Sequence, residues 1–130
     1  MLLVVEDDFH IQDLLTSALG DEGFEVITAF DGKQAIAELD TGAGRFRAVI
    51  TDIRLGAGLD GWEVGRHARE LVPDMPIVYL SGDSGHVWAS KGVPGSVLVC
   101  KPFALAQIVT AVSTLLTEAD AHRAVRGTTC

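Results

Sequence analysis

Five short apolar runs, Leu2–Val5, Val26–Ala29, Ala48–Thr51, Ile77–Leu80 and Ser96–Cys100, recur along the chain with the length and composition of buried β-strands. Between them the hydrophobic period changes. Ile11, Leu14, Leu15, Ala18 and Leu19 repeat at helical spacing, and so do Leu105, Ile108, Val109, Val112, Leu115 and Leu116. Weaker helical patterns fit Lys33–Leu39, Trp62–Leu71 and Val87–Lys91. Strand and helix thus alternate five times, which predicts an α/β parallel sheet with helices on both faces. Turn residues support the boundaries: Gly20 and Gly23 after the first helix, Pro73 and Pro76 before the fourth strand, and Gly92, Pro94 and Gly95 before the fifth. No repeat or linker interrupts the pattern. One domain is expected over residues 1–117, with 118–130 forming the end of the last helix and a tail that frays at Gly127.

Composition narrows the possibilities. With 130 residues, 48% of them hydrophobic, the chain can bury one good core but not two. No apolar run approaches the roughly 20 residues of a membrane helix, and the start turns acidic at Glu6, too early for a signal-peptide core. The reading is therefore no membrane contact and a cytoplasmic protein. The two cysteines, Cys100 and Cys130, show neither disulfide-framework nor zinc-ligand spacing, so Cys100 is expected to be a reduced core residue. A formal charge of -8 disfavours direct nucleic-acid binding, which needs clustered Lys and Arg. Cations, or a basic patch on another protein, fit better.

Polar residues matter most where the strands end, because open parallel sheets bind ligands outside their carboxyl edge, near the point where strand order reverses. Glu6, Asp7 and Asp8 follow the first strand, Asp52 the third, Ser81 the fourth and Lys101 the fifth. If the strand order is 2-1-3-4-5, strands one and three are neighbours and Asp7 meets Asp52. Carboxylates gathered there would repel one another and raise a pKa unless a cation offsets them. Magnesium suits such a site, since it takes a few carboxylate and carbonyl oxygens and retains waters. Asp7 and Asp52 are the direct ligand candidates, with Glu6 acting through water. An aspartate can also attack phosphorus to form an acyl phosphate when charge on the transferred group is neutralised. Lys101 supplies that cation, and Ser81 a hydroxyl donor, with Gly82 letting the backbone approach.

The segments Val-Val-Glu-Asp-Asp, Thr-Asp-Ile-Arg-Leu, Leu-Asp-Gly, Tyr-Leu-Ser-Gly and Cys-Lys-Pro-Phe, in this order, resemble the receiver domains of bacterial two-component response regulators from Leu2 to about Leu116. The resemblance implies a flavodoxin-like doubly wound sheet of order 2-1-3-4-5. It implies Asp52 as phosphoacceptor, Glu6 and Asp7 as the acidic pair, Ser81 as the switch hydroxyl and Lys101 as the phosphoryl-binding lysine. It further implies that the Arg54 backbone carbonyl ligates Mg2+, that the Lys101–Pro102 bond is cis, and that Arg54 and Asp83 occupy positions that tune phosphoryl lifetime. The implied partners are a histidine kinase or histidine phosphotransfer protein and a downstream protein target. A homodimer through the face of helix four, strand five and helix five is a further option that relatives use. Two departures stand out. The loop Arg54-Leu55-Gly56-Ala57-Gly58-Leu59-Asp60-Gly61 lacks the family's usual proline near Gly56 and carries one extra residue, which predicts a more flexible loop. Leu98 stands where the family has its switch aromatic, so the usual serine–aromatic coupling is not available.

Each residue also has a plainer reading. Asp8 is expected to cap the first helix. Asp52 and Ser81 in isolation would read as turn residues, and Lys101 as a surface lysine; their shared edge favours the site. His10, His67, His86 and His122 are scattered singly and read as surface residues, while Trp62 and Trp88 read as packing on helices. Three further functions compete with a phosphoacceptor signalling domain that is not itself an enzyme. One is a receiver-like protein-binding module that works without phosphorylation. Another is a small aspartyl-phosphate phosphatase, against which Asp52-Ile53-Arg54 lacks a second aspartate. The last is a flavin binder, against which the first loop is acidic where a phosphate cradle needs Gly, Ser or Thr.

Overall fold

In a computed structural model describing residues 1–56, 58–82 and 88–120, each apolar run forms one strand of a single parallel sheet. The elements are β1 (Leu2–Val5), α1 (Phe9–Asp21), β2 (Val26–Ala29), α2 (Gly32–Gly42), a 3-10 turn (Ala43–Arg45), β3 (Ala48–Asp52), α3 (Gly61–Leu71), β4 (Ile77–Ser81), α4 (Trp88–Lys91), β5 (Val97–Cys100) and α5 (Leu105–Asp120). The strand order is β2-β1-β3-β4-β5, as expected for a doubly wound flavodoxin-like sheet. Leu2 lies beside both Val26 and Ala48, and the register continues to Val5, which is flanked by Ala29 and Thr51.

Side chains alternate between two cores. Leu3, Val5, Val49, Ile77, Tyr79 and Leu98 face one side, where Leu39, Trp62, Val64 and Ala68 of α2 and α3 cover them. Leu2, Val4, Ala48, Ile50, Val78, Leu80, Val97 and Val99 face the other, under Leu15 and Leu19 of α1 and Ile108, Val112 and Leu115 of α5. Burial on both faces explains why the strands read as unbroken apolar runs. The helices begin where short polar side chains accept the first free N–H groups: Asp8 from His10 and Ile11, Asp31 from Gln34, and Asp60 from Glu63.

Several boundaries differ from the expectation. Helix α1 continues through Gly20 to Asp21, because burial of Leu19 outweighs the roughly 1 kcal/mol helix penalty of an exposed glycine. Asp52 and Ser81 are the last residues of their strands rather than the first beyond them, and β5 starts at Val97. Ser96 instead accepts the Trp88 indole N–H at 3.0 Å and donates to the Val93 carbonyl at 2.6 Å. Helix α5 reaches Asp120; Gly127, His122, Asp83, His86 and Val87 lie outside the described residues. The Lys101–Pro102 bond is cis. Trp62 packs against the Tyr79 ring of β4, at a centroid distance of 4.8 Å. His67 is half-buried rather than simply superficial, its Nε2 lying 2.7 Å from Asp40 Oδ1 across the α2–α3 contact. Cys100 corrects a further expectation. It is disulfide-bonded rather than reduced, and it is half-buried at the end of β5, packed against the margin of one core rather than within it. No helix among the described residues is long and apolar enough to cross a membrane.

Candidate functional site

The carboxyl ends of β1, β3, β4 and β5 bring the expected residues to one edge. Asp52 closes β3 opposite Leu80 of β4, and Ser81, one step further along β4, is buried beside Cys100. Glu6 follows β1 and is fully buried, whereas Asp7 beside it is exposed. One carboxylate oxygen from each of Glu6, Asp7 and Asp52 lies within 4.8 Å of the others. Lys101 enters from beyond β5, its Nζ donating to Asp52 Oδ2 at 2.8 Å and standing 3.6 Å from Glu6 Oε2. The Arg54 N–H reaches Asp52 Oδ1 at 3.3 Å.

Backbone contacts fix these positions. Ile53 N–H bonds to the Leu80 carbonyl, Lys101 N–H to the Ser81 carbonyl at 2.7 Å, and Glu6 N–H to the Ala29 carbonyl at 3.0 Å. The start of α3 lies directly beneath Asp52: a Cβ on Gly61 would overlap the Asp52 carbonyl, so only glycine allows the approach. Gly56 and Gly58, in the loop between, both have positive φ, at 79° and 98°.

The electrostatics follow from burial. Glu6 is pushed up to about 8, first by burial and then by the charge of Asp52, against the opposing pull of Lys101 and the Asp8 N–H. Burial also disfavours the Lys101 ammonium, but the hydrogen bond and charge of Asp52, with Glu6, outweigh it and hold the group above its ordinary value. Glu6 Oε2 is buried without a hydrogen-bond partner among the described residues. An all-oxygen donor set, an excess of negative charge and an orphaned buried carboxylate oxygen suit a hard divalent cation.

Sequence reasoning missed two features. Gln12 of α1 is buried, and its amide reaches two strand-end carbonyls; its register with Leu15 and Leu19 on one helical face was the available signal. An apolar groove of about 470 Å3 opens beside Lys101, lined by Ile11, Leu14, Pro102, Phe103 and Leu105. At the position where the family's switch ring was expected, Leu98 is 1% exposed and pairs in register with Tyr79, whose hydroxyl accepts the Val93 N–H at 3.2 Å.

Residues 2–113 match the response regulator receiver domain, and the chain belongs to that family. It is a receiver domain of the kind used in two-component signalling. Among solved structures it is similar to a response regulator receiver protein from Sinorhizobium medicae, with 45% identity, a TM-score of 0.87, and coverage of 91% of this chain and 94% of that one. The receiver domain of NtrX from Brucella abortus is 30% identical, with a TM-score of 0.78 over 90% of this chain and 98% of that one. Curated relatives include the transcriptional regulatory proteins TcrA and PrrA of Mycobacterium tuberculosis. Each is 34% identical, over 82% and 88% of this chain respectively, and the chain spans 42% and 49% of their lengths, less than half of either.

Proposed function

We propose that Asp52 accepts a phosphoryl group from a phosphohistidine on a histidine kinase or a histidine phosphotransfer protein, with Mg2+ at the acidic cluster. The observation that carries this reading is the placement of Asp52 between two further carboxylates and the Lys101 ammonium, at the open edge of the sheet. In the transfer, the N–P bond of the donor breaks and a bond forms between phosphorus and an Asp52 carboxylate oxygen, giving an acyl phosphate. Hydrolysis later returns the carboxylate and inorganic phosphate. Glu6, Asp7, Asp52 and the Arg54 carbonyl would hold Mg2+, which, when bound, offsets charge on the phosphoryl oxygens. Lys101 is already paired with Asp52 and transfers its hydrogen bonds to the phosphoryl group as the carboxylate is esterified. The Ser81 hydroxyl, on the neighbouring strand end, donates to another phosphoryl oxygen.

The role is signalling by protein contact in the cytoplasm, with no turnover of an external substrate beyond self-phosphorylation and its reversal, and without direct nucleic-acid contact by this domain. The deciding experiment is intact mass after incubation with Mg2+ and acetyl phosphate, comparing the wild type with Asp52→Asn. A phosphoryl mass gain on the wild type alone is expected. A second reading, a protein-binding module independent of phosphorylation, draws on the buried Leu98 at the switch position. No mass gain together with no Mg2+ binding would favour it.

A further inference from the structure

The acidic loop after β1 has an unusual anchor. Glu6, Asp7 and Asp8 leave the strand in succession, and Asp8 is taken up by the cap of α1. Glu6 is buried and its Oε1 accepts the Asp8 N–H at 3.2 Å, whereas Asp7 is exposed, so the direction of Asp7 depends most on the backbone that carries it. Gln12 lies on the buried face of α1 with Leu15 and Leu19, where the helical period would otherwise place an apolar side chain, and it is only 8% exposed. Its Nε2 donates to the Glu6 carbonyl at 3.2 Å and to the Ala29 carbonyl at 3.4 Å, so both amide protons are spent on the ends of two adjacent strands.

A polar group in such a place costs free energy unless fully bonded, and the bonds it makes here are specific. The Ala29 carbonyl already receives the Glu6 N–H at 3.0 Å, whereas Gln12 holds the Glu6 carbonyl itself. That carbonyl belongs to the planar peptide joining Glu6 to Asp7. Holding it fixes the plane from which Asp7 departs. Together with the Glu6 N–H bond, it also holds the backbone from which the buried Glu6 side chain departs toward the Asp8 N–H.

We propose that Gln12 is a positioning residue for the metal loop: through the Glu6 carbonyl it aims the Glu6 and Asp7 carboxylates at the point where they meet Asp52. Gln12 itself touches neither metal nor phosphoryl group. The inference rests on the Mg2+-dependent phosphoacceptor reading, and its test separates the two. Mg2+ is titrated calorimetrically into the full chain for the wild type, Gln12→Met and Gln12→His. Methionine keeps the length and removes the donor; histidine restores a ring N–H at comparable reach.

Loss of a group that orients a metal ligand typically weakens metal binding about tenfold or more. Gln12→Met is expected to raise the Mg2+ dissociation constant by about that factor. It should raise the Mg2+ needed for half-maximal phosphorylation by acetyl phosphate equally, with the rate at saturating Mg2+ little changed. Gln12→His should recover most of the lost affinity. A merely structural glutamine would lower the metal-free melting temperature and leave the Mg2+ affinity alone, and that result overturns the proposal. If Gln12→Met fails to fold, Gln12→Asn, which draws the amide back by one methylene, carries the same comparison with the same two outcomes. A wild type that binds no Mg2+ overturns the underlying reading and this inference with it, whereas equal Mg2+ binding by the wild type and the donorless variant overturns this inference alone.

Discussion

Glu6 is the residue whose chemistry is most displaced by its surroundings, and the sign of the displacement gives a test. Its carboxyl is raised from 4.5 to about 8, so the folded metal-free chain holds a proton that the unfolded chain releases. The associated stability is fully present below about 4.5 and is lost as pH rises through about 8. The metal-free melting temperature is therefore expected to fall between about pH 5 and pH 8 on this account, and Glu6→Gln should flatten that fall. Calorimetric melting in chelator measures it; an identical slope in the variant would rule out Glu6 as the source. Millimolar Mg2+, which stabilises the charged form, should raise the melting temperature most at the alkaline end. Glu6, Asp7, Asp52 and Lys101 were legible as a group because each charge interrupts or ends an apolar run. Gln12 was passed over, since a glutamine in an amphipathic helix ordinarily reads as a solvated position, although its register with Leu15 and Leu19 placed it on the buried face.

At the scale of elements, the contact between β3 and α3 is the most sharply constrained. Gly61 N–H bonds to the Ile53 carbonyl at 2.8 Å, and the missing Cβ leaves room for the Asp52 carbonyl. Gly61→Ala must push α3 away from the strand end and is expected to cost about 1–3 kcal/mol in urea unfolding, the range for overpacked sites. Leu98 offers a second test on the opposite strand. The space beside it is already occupied by the Tyr79 ring, which Trp62 stacks against and Val93 bonds to. Restoring a ring with Leu98→Tyr is expected to destabilise the chain by about 1–3 kcal/mol rather than to rebuild the family's switch. The strand and helix alternation and the Asp8 cap were readable, because hydrophobic period and a short polar cap are local signals, whereas the strand order came through the family resemblance and the Asp31 and Asp60 caps came only with the structure. The ends of α1 and β5 were not. There, burial of Leu19 and the Ser96 hydroxyl bonds, which depend on the assembled fold, decide the boundary.

For the molecule as a whole, two cores on opposite faces of one sheet leave the reactive edge open between them, with the groove of α1 and the start of α5 on one side. On the proposed phosphotransfer a protein donor would seat its phosphohistidine against Asp52, and the apolar groove beside Lys101 is an adjoining surface on which the donor is expected to rest. Leu14 is 41% exposed there, so Leu14→Asp should spare folding and phosphorylation by acetyl phosphate while slowing transfer from a protein donor about tenfold or more, as loss of a central apolar anchor does. Transfer from the protein donor at the wild-type rate in Leu14→Asp would place the donor elsewhere. The packing under Asp52 has an optical consequence. Trp62 follows Gly61 directly and rests, almost sealed from solvent, on the Tyr79 ring, so any shift of α3 against the end of β3 alters the surroundings of an indole chromophore. With Trp88 replaced by Phe, the emission of this single remaining tryptophan is expected to report any such shift when Mg2+ or acetyl phosphate is added, and emission unchanged by either would show that α3 stays in place.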